Sequence, residues 1–245
     1  MKKEYWYILI IYITMQLSTF VGVPALTFGG VLIGYSIEEM AVYAVVIWIV
    51  FSFSVALLAT LFLLRKEMKQ PSLDRETASV SASIFWAIAG VFLALFAQGL
   101  AANIESWLGI DMGSENTQQI LSLIESFPVV VIVSSVIGPI LEEIVFRKII
   151  FGSLYKRLNF FLSAIISSII FALAHAEIEH LLLYSAMGFT FAFLYIKTKR
   201  IIVPIIAHVA MNTFVVLVQS VFKEDIERML REAESIQSFI GGLFL

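Results

Sequence analysis

Residues 128–150 read PVVVIVSSVIGPILEEIVFRKII, an apolar stretch long enough to cross a bilayer that carries Glu142, Glu143 and Arg147 within it. A charge at the centre of a spanning helix costs about 2.5–3.5 kcal/mol, whereas each Leu, Ile, Val or Phe offsets only about 0.3–0.6 kcal/mol. The stretch is therefore marginal as an isolated helix and needs neighbouring helices to shield its charges.

The rest of the chain is equally apolar. Of its 245 residues 60% are hydrophobic and 14% charged, and the mean hydropathy is +0.95. A soluble domain of this size could not bury so much apolar surface, so we expect the lipid bilayer to surround the chain and no nucleic-acid partner. The chain has no cysteine, which excludes disulfides and thiol nucleophiles. Nothing in the sequence indicates an oligomeric state.

Seven predominantly apolar stretches approach the roughly 20 residues that a spanning helix needs. They cover about 5–27, 41–64, 79–102, 128–152, 159–177, 181–197 and 201–222. Residues 115–126 predict a short interfacial helix, and 223–237 predict a charged amphipathic tail. No alternating strand pattern is present. The sequence predicts an all-α polytopic membrane helix bundle of about seven transmembrane helices, with eight as the alternative, in a single domain 1–245.

Basic residues orient the chain in the membrane. Lys and Arg occur at the N-terminus, in 65–78, and after the fourth and sixth predicted spans, whereas 28–40, 103–127 and 178–180 contain neither. Because cytoplasmic loops carry the excess of Lys and Arg, the N-terminus is predicted to be cytoplasmic. Seven spans then put the C-terminus outside. The composition is typical of a bacterial cell-membrane protein.

The two adjacent glutamates are predicted to differ. Glu143 and Arg147 are four residues apart and share a helix face, which favours an ion pair. Glu142 lies about 100° further round the helix and is left for chemistry. Pro139 removes a backbone donor and should loosen the helix just before both carboxylates. The alternative is a structural ion pair with Glu142 at the cytoplasmic surface.

Two of the three histidines lie within predicted spans. His175 ends the fifth span one turn after Phe171, and His208 precedes Asn212 by one turn. A single membrane histidine is typically a helix–helix hydrogen bonder. Two histidines with an Asn and a Glu pair indicate a catalytic site instead. We interpret the third, His180, as an interfacial structural residue.

The available side chains limit the reaction. The chain has no Ser in a nucleophile elbow and no HExxH pair, so a general-base glutamate that activates water is the simplest interpretation. A histidine can assist the water or protonate the leaving amine, and His208 and Asn212 can donate hydrogen bonds to the oxyanion. A zinc ion held by Glu142, His175 and His208 is the alternative, although no spacing favours it.

These residues resemble the three motifs of the CPBP family of intramembrane peptidases, named after CAAX prenyl proteases and bacteriocin-processing enzymes. The matching segments are Glu142-Glu143-x-x-x-Arg147, Phe171-x-x-x-His175 and His208-x-x-x-Asn212. They occur in the family's order on three separate spans, and the similarity covers about 80–220. The first two spans carry no motif. The short gap between the second and third motifs leaves room for one span only.

The resemblance implies an all-helical membrane fold with a water-filled cavity that opens toward the cytoplasm. It implies that Glu142 and His175 activate water, that Glu143 and Arg147 support them, and that His208 and Asn212 stabilise the oxyanion. It also implies a glutamic type of peptidase without a metal cofactor. The expected substrate is a membrane-associated peptide or protein, and a bacterial source makes a peptide more plausible than a prenylated CAAX box.

The predicted depths of His175 and His208 in the membrane conflict with a single site that contains both. At 1.5 Å per residue, His175 lies about 24 Å from the start of the fifth span, whereas His208 lies about 10 Å from the start of the seventh. The motifs can meet only if the fifth span is tilted or begins below the membrane surface.

Two other classes of function stay open on the sequence. A proton-coupled transporter would use the glutamates and histidines as a relay, but it usually has inverted repeats and paired broken helices, which are absent from the sequence. A non-catalytic immunity or regulatory protein would keep the fold, although retention of every motif residue argues against it.

The predicted topology is tested with cysteines introduced at Ser72 and Ser114, since the native chain has none. An impermeant thiol reagent added to intact cells should label the cysteine at 114 and reach the one at 72 only after permeabilisation. Labelling of both positions from the same side would overturn the assignment of spans.

Overall fold

A computed structural model describes residues 1–68, 77–111 and 113–222, with Asp225 and Arg228 beyond them. Most of the predicted loop 65–78 and nearly all of the predicted tail 223–237 lie outside these ranges. The described chain folds into eight helical elements joined by short connections, and no strand occurs within it. The predicted all-α class is therefore confirmed.

The eight elements follow the predicted order. They are α1 (Lys3–Leu32), α2 (Ile37–Met68), α3 (Val80–Trp107), α4 (Glu115–Ser126), α5 (130–154), α6 (Phe160–Ala174), α7 (Leu181–Thr198) and α8 (Ile202–Val221). Each of the seven predicted spans is helical, and the predicted interfacial helix is α4, which begins at the N-cap Ser114. The elements form a polytopic membrane helix bundle.

Five of the seven predicted spans are long helices. Among the described helices, α1, α2, α3, α7 and α8 are long and apolar enough to cross a bilayer as single helices. The predicted fourth and fifth spans differ from this pattern. α6 has 15 residues, or about 22 Å, less than the roughly 30 Å of a hydrocarbon core. The predicted fifth span 159–177 is thus too long, because the helix ends at Ala174 and Ala176 has a left-handed φ of 58°.

α5 is irregular around the motif. An α-helical turn, Gly138–Glu142, lies between two π-helical segments, Val133–Ile137 and Glu143–Phe151. Pro139 cannot donate a backbone hydrogen bond, so the regular α-helical ladder cannot continue through this position. Wider π turns are frequent at functional sites because they redirect side chains. The predicted loosening beside the glutamates is therefore present.

The first two helices, which carry no motif, also contribute to the core. α1 and α2 pack against each other, and α1 directs a stripe of buried residues toward α5. Tyr12 of that stripe contacts the edge of Phe146, with ring centroids 5.7 Å apart. α6 and α7 approach closely at Gly188, where a Cβ would lie 2.8 Å from Ser168 Oγ. Small residues allow such approaches between membrane helices.

Candidate active site

The predicted ion pair between Glu143 and Arg147 is present and buried. Glu143 Oε2 lies 3.2 Å from Arg147 Nε, and the two side chains are 0% and 1% exposed. The angle at this contact does not suit a hydrogen bond, and the other guanidinium nitrogens have no acceptor among the described residues. The pair is therefore held mainly by the attraction of two charges in a medium of low dielectric constant.

Two aromatic rings complete the surroundings of the guanidinium. Its central carbon lies 4.2 Å from the ring centroid of Phe171 and 5.3 Å from that of Phe191. A cation over an aromatic face is attracted by the ring quadrupole, more strongly where water is absent. The same rings also contact the two motif histidines. The ring centroid of Phe171 lies 4.5 Å from that of His175, and the ring centroid of Phe191 lies 4.5 Å from that of His208.

His208 lies between the two glutamates. Its Nδ1 is 2.8 Å from Glu143 Oε1, and its Nε2 is 3.8 Å from Glu142 Oε2. Because an ionised carboxylate only accepts hydrogen bonds, the Nδ1–H of His208 donates the hydrogen bond to Glu143. This bond orients the imidazole so that Nε2 faces Glu142. Many functional histidines are oriented by a carboxylate in the same way.

Glu142 has the partly open position that was expected of it, but it does not stand alone. Its side chain is 18% exposed, against 0% for Glu143. The sequence offers Glu142 no partner one turn along α5. In the structure His208 of α8 faces it from another helix.

His175 and Asn212 lie at the margin of this group. His175 Nδ1 donates to the backbone oxygen of Phe171 at 2.8 Å, which leaves Nε2 without a proton in the neutral ring. Within the described ranges His175 makes no ion pair with either glutamate. The ring of Phe171 separates it from His208, whose ring centroid is 6.2 Å from that of Phe171. The Asn212 amide donates over 3.4 Å to the Ser134 oxygen.

A second polar cluster, which we call the outer cluster, surrounds the connection between α6 and α7. Glu105 of α3 is 2% exposed, accepts from Leu183 N at 3.0 Å and contacts His180 Nδ1 at 2.9 Å. His180 Nε2 faces the Gly113 oxygen at 3.2 Å. Both neighbours of the ring are acceptors, which indicates an imidazolium. Partial burial opposes protonation, but the hydrogen bond to Glu105 and the nearby carboxylates raise the pKa of His180.

Glu177 ties the outer cluster to α4 and α7. Its carboxylate accepts from Asn116 N at 2.7 Å, from Ser114 Oγ at 2.7 Å and from Tyr184 Oη at 2.6 Å. It therefore caps the N-terminus of α4, where unpaired N–H groups favour a negative charge. Burial alone would raise the pKa of Glu177, but these hydrogen bonds outweigh it and lower the pKa.

The sequence missed three groups of contacts. Phe191 and Tyr184 lie on α7, which carries no motif, although their spacing of seven residues places both on one helix face. Tyr12 comes from α1, and its buried side chain lies within electrostatic range of Glu142 and Arg147. His180 was interpreted as structural, but its partner Glu105 was not identified.

The arrangement of the His, Asp and Glu side chains also bears on metal binding. Within the described parts of the chain no three His, Asp or Glu side chains converge to form a metal site. The expected absence of a metal stays a prediction.

Comparisons with known proteins identify the family. A family profile described as "Type II CAAX prenyl endopeptidase Rce1-like" matches residues 124–214, a range that contains all six candidate residues. The Bacillus subtilis (strain 168) protein named "Putative membrane peptidase YdiL" is 50% identical over the full length of both chains. The "Membrane-embedded CAAX protease MroQ" of Staphylococcus aureus (strain USA300) is 32% identical over 96% of this chain and 95% of its own.

The helix bundle and these relatives together define a membrane-embedded endopeptidase. The chain belongs to the CPBP family of CAAX-protease-like membrane peptidases. No solved structure matches it significantly.

Arg147→Met tests the buried ion pair. It leaves the Glu143 charge without its cation and should destabilise the fold by about 3–5 kcal/mol, measured as a lower Tm in detergent. Glu143→Gln combined with Arg147→Met should regain part of this loss, since no unpaired charge remains. Lys148→Met is the matched control, because Lys148 is 18% exposed and pairs with Glu67, an arrangement worth about 0–1 kcal/mol. Equal losses for Arg147→Met and Lys148→Met would contradict the assignment.

The outer cluster should give stability a pH dependence with two limbs. Because the pKa of Glu177 is lowered from 4.5, its contribution is complete above that pH and is lost as the pH falls through the folded-state pKa. Because the pKa of His180 is raised from 6.5, its contribution is complete below that pH and is lost as the pH rises through the folded-state pKa.

The measurement is the Tm of the parent, Glu177→Gln and His180→Leu from acidic to alkaline pH. The difference between parent and Glu177→Gln should close at the acidic end, and that for His180→Leu at the alkaline end. Differences that do not vary with pH would show that neither group titrates as described.

Proposed function

We propose that the protein is an intramembrane endopeptidase of the glutamic type, in which Glu142 activates the water that attacks the peptide bond. The observation that supports it is the chain of contacts from Arg147 through Glu143 and His208 to Glu142. Buried charges inside a membrane domain are costly, so a connected set of four is favoured where it serves chemistry.

The two glutamates suit different roles. Glu143 places one oxygen on Arg147 and the other on His208, so both are occupied. Glu142 is the partly exposed carboxylate and can accept a proton from water. The 3.8 Å between Glu142 Oε2 and His208 Nε2 is too long for a direct hydrogen bond and fits a bridging water or reacting oxygen.

His208 and Asn212 suit the stabilisation of an oxyanion. His208 Nδ1 donates to Glu143, so its Nε2 faces Glu142. A proton on Nε2 can be donated in a hydrogen bond to the oxyanion as its charge develops. The Asn212 side-chain amide makes only a long hydrogen bond of 3.4 Å to the backbone oxygen of Ser134. The amide can therefore turn and become a second hydrogen-bond donor to the oxyanion.

The reaction then balances as a hydrolysis. Glu142 takes one proton from water while the oxygen attacks the scissile carbonyl and forms a tetrahedral oxyanion. The C–N bond breaks as the leaving nitrogen receives a proton, carried by Glu142 or relayed by His175 through Nε2. The products are a carboxylic acid and an amine, and Glu142 returns to its ionised form.

The substrate class is a membrane-associated peptide or protein in the cell membrane, and the predicted orientation places the N-terminus in the cytoplasm. One relative is named a CAAX protease; for this chain we propose a peptide without a prenyl group.

Cleavage by purified protein in detergent, followed with a quenched peptide library, tests the role of Glu142. Glu142→Gln should abolish turnover and keep a Tm close to the parent, because a neutral amide cannot accept the proton. Asn212→Ala should retain weak activity, since loss of one oxyanion donor costs about 10²–10³-fold. Glu38→Gln, at an exposed position, is the control. A Glu142→Gln variant with a tenth of the parental rate would refute the general-base assignment.

Metal independence is tested on the same preparation. Activity should survive phenanthroline, and elemental analysis should find no stoichiometric zinc. One zinc per active chain, lost together with activity, would assign Glu142, His175 and His208 to ligand roles instead.

A further inference from the structure

Tyr184 of α7 stacks on the ring of His175, which directly follows α6. The two rings are stacked, with centroids 4.1 Å apart and planes inclined by 25°. Phe171 contacts His175 through an edge, at 4.5 Å and 64°. Tyr184 is 6% exposed, so its ring is fixed within the core. Together with the hydrogen bond from Nδ1 to the Phe171 oxygen, these contacts leave His175 little freedom to rotate.

The hydroxyl of Tyr184 is attached to the same stretch of backbone. It donates to Glu177 Oε2 at 2.6 Å, and Glu177 is two residues after His175. Glu177 is held in turn by Asn116 N and Ser114 Oγ of α4. One side chain therefore fixes both the imidazole and the carboxylate that follows it.

The backbone between these two residues is strained. Ala176 has a φ of 58°, a left-handed conformation that is unfavourable for an L-residue with a Cβ and that glycine usually occupies after a helix. Strained residues persist where their surroundings hold them in place, and they cluster at functional sites. The Tyr184–Glu177 hydrogen bond supplies such a restraint here.

We propose that Tyr184 is a positioning residue for His175, holding the imidazole in the tautomer that keeps Nδ1 protonated and leaves Nε2 unprotonated. The kinetic consequence rests on the proposed function, whereas the orientation and tautomer of His175 do not. A residue that only filled space would leave the tautomer unchanged when its aromatic ring is replaced by an aliphatic side chain.

Nitrogen-15 NMR of histidine-labelled protein measures the tautomer directly, and the chain has only three histidines. His175→Gln assigns the His175 signals. At a pH where the ring is neutral, the parent should show Nδ1 protonated and Nε2 bare. Tyr184→Leu should show a mixture of tautomers. Tyr184→Phe should stay close to the parent, because it keeps the stacked ring and because Asn116 N and Ser114 Oγ still hold Glu177. Tyr184→Met provides a second apolar replacement if the leucine variant does not fold.

Tyr195→Leu is the matched control. Tyr195 is also on α7 but contacts Phe151, with ring centroids 6.3 Å apart, and lies about three turns from Tyr184. Its replacement should lower stability without altering the His175 signals. Unchanged His175 signals in Tyr184→Leu or Tyr184→Met would overturn the proposal.

Kinetics then separate the two claims. Tyr184→Leu should lower kcat by about 10- to 100-fold with KM little changed, since a misplaced catalytic group loses rate rather than binding. Tyr184→Phe should largely restore kcat. If the parent has no peptidase activity but Tyr184→Leu still shifts the His175 tautomer, the proposed function is rejected and the positioning role is kept. Full activity together with unchanged tautomers in Tyr184→Leu would reject the positioning role alone.

Discussion

The buried guanidinium of Arg147 is the constraint on which the rest of the site depends. A fully buried charge costs several kcal/mol unless it is paired, and α5 alone supplies only Glu143. The aromatic faces of Phe171 and Phe191 come from α6 and α7. Because those rings also contact the two motif histidines, the arrangement that stabilises the cation also assembles the site.

The same constraint explains why two adjacent glutamates differ. Glu143 is fully buried and shared between Arg147 and His208, so its oxygens are occupied. Glu142 lies about 100° further round the helix, where its carboxylate is partly exposed. The π-helical turns on both sides of Gly138–Glu142 adjust these directions. A structural ion pair by itself would not require His208 to face both carboxylates.

Periodicity and local spacing predicted what depends on nearby residues. The seven helical segments follow from apolar runs, and the Glu143–Arg147 pair follows from a spacing of four. The end of α6 at Ala174 was not predicted, because Ala176 gives no sign in the sequence that it adopts a left-handed conformation. Contacts between helices were also beyond the sequence. His208 reaches Glu143 across 65 positions and His180 reaches Glu105 across 75, and no local pattern encodes such separations. The difference in depth between His175 and His208 stays a prediction, and the ring of Phe171 contacts both histidine rings.

The account depends on water attacking the peptide bond directly, with Glu142 as its base. A single turnover in water enriched in oxygen-18, followed by mass spectrometry of the product and of the Glu142 peptide, measures this step. The account predicts one heavy oxygen in the new product carboxylate and none in Glu142. Heavy oxygen in Glu142, with only ordinary oxygen in the first product, would show that Glu142 attacks the carbonyl itself and would contradict the account.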